Sequence, residues 1–151
     1  MTENSTHNNT DKPGSVLFVC NYNSIRSPMA EAIAKKLCGH NIYVDSVGVR
    51  AELLEINPFN IAVLQEIGID ITEHKAKKIE DLDDDSFDLV ITFSEEAYKC
   101  ALEYTHSLSA EVEYWPTDDP SATRGNRENI LESFRELLYV IRESWAFKPL
   151  K

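Results

Sequence analysis

Ser15-Val16-Leu17-Phe18-Val19-Cys20-Asn21-Tyr22-Asn23-Ser24-Ile25-Arg26-Ser27-Pro28 decides how this chain is read. Val16 to Val19 is continuously apolar, as a central parallel strand covered on both faces requires. Pro28 suits a first helical position, and Met29, Ile33 and Leu37 behind it recur at helical spacing on one face. Between the two lies C-x5-R-S-P, placed where a strand ends and a helix begins. A loop of backbone N–H groups at a helix N-terminus binds oxyanions. Arg26 offers a planar fork for two phosphate oxygens, and a cysteine at the base of such a loop can attack phosphorus. The blander alternative is a buried cysteine beside a solvent-facing arginine. The strand, Ser27 and Pro28 weigh against it.

Outward from this stretch, strand and helix patterns alternate. The first helix, Pro28 to Cys38, closes at Gly39. Ile42 to Ser46 reads as a second strand. Asn57-Pro58 is an N-cap and first-turn proline, opening a helix through Phe59, Val63 and Ile67 to Gly68. Asp88 to Phe93 is a third strand, and Ser94 caps a helix carrying Ala97, Tyr98, Ala101 and Leu102. Val112 to Trp115 alternates as an edge strand does. A long helix, about Asn126 to Phe147, sets Ile130, Phe134, Leu137, Leu138, Ile141 and Trp145 on one face. The expected fold is therefore α/β: three layers, a four-stranded parallel sheet flanked by helices, and the phosphate-binding loop after strand one. Residues 1–14 read as a disordered polar tail and 15–151 as a single domain. The run Glu80 to Asp85 lacks calcium-loop spacing and reads as a solvated acidic loop, so no metal is expected.

The chain has 151 residues, a size suited to one full core, and a formal net charge of −11. That charge argues against sequence-independent binding to nucleic acid or anionic membranes, and makes any phosphate site a local positive island. Three cysteines do not form a disulfide framework. No apolar run is long enough to span a bilayer, and the N-terminus lacks the apolar segment of a signal peptide. A reduced cytoplasm is the expected setting. No cofactor is implied.

In a doubly wound sheet the ligand sits beyond the carboxyl ends of the strands. Cys20, Ser46, Ser94 and Asp118-Asp119-Pro120 follow the four strands and should share that edge. Breaking a phosphate ester there needs a nucleophile, a cradle for the oxygens and an acid for the leaving group. Cys20 at a helix N-terminus, near Arg26 and the Ser27 hydroxyl, is the nucleophile. Arg26 and the amides of Asn21, Tyr22, Asn23, Ser24, Ile25 and Arg26 would hold the equatorial oxygens. Asp119 is the better candidate for the acid, because a strand exit aims only one of two neighbouring side chains into the cleft. As a bland alternative, Asp118 and Asp119 merely form a turn before Pro120.

VLFVCNYNSIRSPMAEA, VDSVGV, INPFNIAVLQEIGIDITEHKAKKI, FDLVITFS and YWPTDDP, over roughly 15–147, resemble the low-molecular-weight protein-tyrosine phosphatases and the related thioredoxin-coupled arsenate reductases. The resemblance implies Cys20 as nucleophile, Arg26 as phosphate clamp and Asp119 as general acid. It also implies that Asn23, Ser27, Ser46 and His74 brace the loop. For Asn23 there is a physical reason, since asparagine tolerates the left-handed backbone of a tight loop. For His74 only the resemblance brings the residue near Cys20.

The chain departs from the family pattern in several places. Tyr22 stands where glycine is usual, and Ile25 where the phosphatases carry a second loop cysteine. Ser121-Ala122 replaces the aromatic residues that flank a phosphotyrosine ring in eukaryotic members, leaving Tyr22 or Trp115 as a substitute surface. The reductases need a relay cysteine just after strand three, and that position is Ser94. Cys38 and Cys100 fall at spacings that suit core packing. The leading reading is hydrolysis of a phosphorylated protein or small aryl phosphate, releasing inorganic phosphate. The alternatives are arsenate reduction and a non-catalytic oxyanion- or phosphoprotein-binding module.

Overall fold

The computed structural model describes residues 14–39, 41–50, 55–82, 87–105 and 110–146. The tail expected over 1–14 lies outside them save for Gly14, as does most of the acidic run after Leu82. Four strands, β1 (Ser15–Cys20), β2 (Tyr43–Gly48), β3 (Leu89–Thr92) and β4 (Glu111–Tyr114), form one sheet in the order β2-β1-β3-β4. Every pairing is parallel. Helices α1 (Arg26–Cys38), α2 (Pro58–Glu66), α3 (Glu95–Tyr104) and α4 (Arg127–Ala146) cover its two faces. Among the described residues no helix is long and apolar enough to cross a membrane.

The apolar run of β1 explains the layering. Successive side chains of a strand point to opposite faces. Val16, Phe18 and Cys20 join one core cluster with Met29, Leu64 and Phe134. Leu17 and Val19 join the other with Val90, Ala97 and Ala101. The α4 stripe buries Phe134, Leu137, Leu138, Ile141 and Trp145, and the Trp145 ring lies edge-on to Phe18 with centroids 5.5 Å apart. A buried leucine or phenylalanine contributes roughly 1.5–3 kcal/mol, so this stripe anchors α4 and the loop before it.

Strand order reverses about β1, which has β2 on one side and β3 on the other. The switch point of the sheet is thus the carboxyl end of β1, immediately before 21–25.

Several boundaries differ from the sequence reading. α1 begins at Arg26, two residues before Pro28. Proline is tolerated there because the first helical N–H groups have no intrahelical acceptor. β2 runs on to Gly48, paired with Cys20, instead of ending at Ser46. β4 starts one residue earlier and stops before Trp115, although the Trp115 N–H still reaches Thr92 O at 2.7 Å. Elsewhere the caps are those the residue types imply. Asn57 Oδ1 accepts from Phe59 N at 2.8 Å and Ser94 Oγ from Ala97 N at 3.0 Å. Asn126 and Asn129 exchange backbone-to-side-chain bonds at the start of α4.

Candidate active site

Residues 21–25 turn from β1 into α1 at the switch point, and the N-cap of α1, Ile25, provides no side-chain cap. The first N–H groups of the helix are therefore left for a ligand. Cys20, Asn21, Tyr22, Ser24, Ile25 and Arg26 line a cavity of about 170 Å³, closed on the other side by Asn57, Asp119 and Ser121. Asp118 is absent from that lining; it lines only the adjoining groove beside Tyr114 and Val140, which Asp119 borders as well.

Asn23 holds the loop's shape. It is fully buried with φ of 56°, the left-handed region where asparagine is among the tolerated residues. Its Oδ1 accepts the Lys77 backbone N–H at 3.1 Å, which fixes the orientation of the amide. His74 Nε2, 3.0 Å from the same oxygen, must then be the donor. Asn23 Nδ2 donates to Ser27 Oγ at 2.8 Å and to Ser46 Oγ at 3.0 Å. Ser46 passes its proton to Glu31 Oε1 at 2.5 Å. Ser27 Oγ, already accepting, turns its proton toward Cys20 Sγ at 2.9 Å or Val47 O at 3.2 Å. The Ser27 backbone N–H also points at Sγ, 3.4 Å away. Hydrogen-bond polarity thus runs from His74 and the Lys77 N–H through Asn23 to the two serine hydroxyls, and the Ser27 backbone N–H is a donor aimed at the sulfur.

Around His74 the balance of charge is mixed. Burial pushes its pKa below the usual imidazole value, and Glu31, 3.8 Å from Nδ1, partly opposes this. The neutral ring matches its role as a single Nε2–H donor.

Arg26 is held from behind. Its Nη1 donates to Phe93 O at 3.2 Å and to Thr117 O at 2.8 Å. The guanidinium is thereby anchored through one nitrogen, and Arg26 lines the cleft. The Thr117 contact also ties the loop carrying Asp119 to the arginine. Asp119 Oδ1 accepts from Ser121 N at 2.9 Å and Ser121 Oγ at 2.7 Å, forming the cap of a short 3₁₀ turn at Pro120–Ala122.

Several supports were not visible in the sequence. Asn60, fully buried on α2, donates to Ser24 O and Ile25 O. The only hint was a polar residue within the apolar stretch Phe59 to Leu64. Glu31 reads as a surface pair with Lys35. Gly48 admits the loop, since a Cβ there would lie 2.6 Å from the Tyr22 carbonyl carbon and 2.7 Å from Asn23 N. Tyr22 itself is outside the positive-φ region, so its backbone does not call for glycine. Trp115, considered as a flanking surface, instead packs between Phe93 and Trp145.

The other cysteines lie away from this lining. Cys38 packs against the core of α1 and α4 and Cys100 against that of α3. Burial, with the charges of Glu103, Glu96 and Glu80, raises the Cys100 thiol pKa. Ser94 Oγ donates to Asn21 Oδ1 at 2.6 Å.

Known proteins match this arrangement over most of the chain. An arsenate reductase of Bacillus subtilis is 33% identical over 133 residues, which are 87% of this chain and 82% of that protein. A glutaredoxin arsenate reductase of Synechocystis is 33% identical across 85% of this chain and 90% of its own length. A solved arsenate reductase in the phosphate binding state superposes with a TM-score of 0.71 at 32% identity, covering 86% of this chain and 92% of the other. The family model of the low molecular weight phosphotyrosine protein phosphatases matches residues 15–144. From β1 to the penultimate turn of α4, the chain belongs to the low molecular weight phosphotyrosine protein phosphatase family.

Proposed function

We propose that the chain is a phosphomonoester hydrolase working through a cysteinyl-phosphate intermediate, on a phosphorylated protein or small aryl phosphate. The observation that carries this is the convergence of Cys20, Arg26 and Asp119 on one cleft at an uncapped helix N-terminus. Cys20 Sγ attacks phosphorus in line, forming an S–P bond as the ester P–O bond breaks. Arg26 and the loop amides hold the equatorial oxygens, whose charge is greatest in the transition state. Asp119 protonates the departing oxygen and then takes a proton from the water that releases inorganic phosphate. Asn23, Ser27, Ser46 and His74 keep the loop in shape throughout. A reducing, cytoplasmic setting keeps Cys20 a thiol.

The test sets wild type and Cys20→Ser side by side on a generic aryl phosphate, with phosphate affinity measured by titration. Loss of turnover with affinity retained is expected, because the amides and Arg26 remain. Full activity in the variant would sink the mechanism.

A second reading takes arsenate as the oxyanion, favoured by the names of the relatives. Arsenate would condense with Cys20, losing water, and two electrons from thiols would then release arsenite. Ser94 provides no thiol for that step, and the Cys100 thiol is held toward its protonated form. The electrons would have to come from an external thiol. Cys20-dependent consumption of NADPH with arsenate, a thioredoxin or glutaredoxin system and this chain would promote the reading to first place.

A further inference from the structure

Tyr22 is the one aromatic side chain among the described residues lining the cleft, and it stands 37% exposed at the mouth. A ring so placed would ordinarily sample several rotamers. Here three elements converge to hold it. The Arg50 guanidinium lies over the ring, 5.8 Å from its centroid, within cation–π range. Glu96 Oε2, from the first turn of α3, accepts from Arg50 Nε at 3.1 Å and Nη2 at 2.5 Å, fixing the guanidinium plane. The backbones close the circle: Arg50 N donates to Asn21 O at 2.8 Å, and the α3 cap Ser94 donates to the Asn21 side chain. The Arg50–Glu96 pair is well exposed, so it adds little stability. Its consequence is orientation. Tyr22 is part of the cleft lining and Arg50 is not, so the guanidinium braces the ring without itself occupying the cavity.

Resting on the hydrolase reading above, we propose that Tyr22, braced by Arg50 and Glu96, is the specificity-determining wall that favours aryl over alkyl phosphates. The opposite wall is Asn57, Asp119 and Ser121, which offers no aromatic face. A planar leaving group bound to the loop would lie against the Tyr22 ring. Offset ring contacts are worth a factor of about two to twelve in affinity. A ring held in place beforehand realises that factor without loss of rotamer freedom on binding.

The readout is the ratio of Kd values for methylphosphonate and phenylphosphonate, measured by titration calorimetry on the intact chain. Neither compound is hydrolysed, so the result is independent of turnover. Wild type should prefer phenylphosphonate by about two- to twelvefold beyond methylphosphonate. Tyr22→Ser should bring the ratio near one, and Tyr22→Phe should keep it. Arg50→Met and Glu96→Gln should lower it by about two- to fivefold without abolishing methylphosphonate binding. A ratio unchanged in Tyr22→Ser overturns the wall, and one unchanged in both Arg50→Met and Glu96→Gln overturns the brace. Absence of Cys20-dependent aryl phosphate turnover, with the ratio intact, overturns the hydrolase reading and leaves the wall standing.

Discussion

Replacing Asn23 separates the two things this residue does, bending the backbone and ordering the polar network. Its amide makes four hydrogen bonds, two donated and two accepted. At about 1 kcal/mol net for each bond, deletion would cost about 4 kcal/mol. Ser27 and Ser46 keep acceptors in Val47 O and Glu31, and half-buried Lys77 and His74 can recover water, so about 3 kcal/mol is the better figure. Asn23→Gly should show that loss alone, because glycine accepts φ of 56° without strain. Asn23→Ala should lose about 1 kcal/mol more, the left-handed penalty of a side chain with no local hydrogen bond. Asn23→Asp preserves shape but cannot donate to both serines, and should fall with Asn23→Gly or below it. Urea unfolding of the three variants gives the stabilities, and kcat/KM on an aryl phosphate should fall in the same order. Equal stability of the Ala and Gly variants would refute the backbone account. A loss under about 1 kcal/mol in all three would refute the network.

Asp119→Asn should slow hydrolysis of esters with poor leaving groups by about 10²–10⁴-fold and good ones much less, with Asp118→Asn nearly silent; the reverse pattern in steady-state kinetics would reassign the acid. Gly48→Ala should displace the phosphate loop, because its Cβ meets three backbone atoms within 2.8 Å; a destabilisation of about 1–3 kcal/mol in urea and a clear fall in kcat/KM are expected, and unchanged kinetics would contradict the packing. His74 takes up its proton at lower pH in the folded chain than in the unfolded one, so its contribution is complete above about pH 6.5 and is lost as pH falls toward the folded value. In His74→Gln that part of the pH slope of the urea midpoint should vanish, and an identical slope would refute it.

The strands and helices were legible because their signals are local. The apolar run of β1 admits no amphipathic reading, and Asn57-Pro58, Ser94 and Gly39 mark ends through their own chemistry. Boundaries slipped where a tertiary partner decided them. β2 continues through Val47 and Gly48 because Cys20 lies opposite, and α1 starts at Arg26 because the loop N–H groups already turn helically before Pro28. Within the site, Cys20, Arg26 and Ser27 were readable from the eight consecutive residues 20–27. Glu31, Asn60, Arg50 and Glu96 were not, since each acts through a partner distant in sequence: Glu31 through Ser46, Asn60 through Ser24 and Ile25, Arg50 through Asn21 and Tyr22, and Glu96 through Arg50. Glu31 in sequence is simply the i−4 partner of Lys35. Only the placement of Ser46 opposite Phe18 in the β1–β2 register brings it to the network. His74 lies in the long connection before β3, and the bridge between Gly48 and Lys78 draws that connection to the loop. A pairing of this kind has no periodic trace in the sequence.

Under the hydrolase reading proposed above, Ser94 is part of the scaffold, and a relay thiol at the same position would meet opposite demands. Ser94 Oγ has its proton committed to Asn21 Oδ1 and a lone pair committed to the Ala97 N–H. A sulfur in the same place would be a weak donor and a weak acceptor, so both the α3 cap and the Asn21 contact would slacken. The hydroxyl is therefore part of the scaffold that holds the first residue of the loop. Through α3 it also positions Glu96, and through Glu96 the guanidinium that backs Tyr22. A relay thiol must do the opposite: leave its partners and move to the sulfur of Cys20. The same position cannot serve both as a fixed strut of the anion loop and as a mobile reductant, and in this chain its bonds are those of the strut.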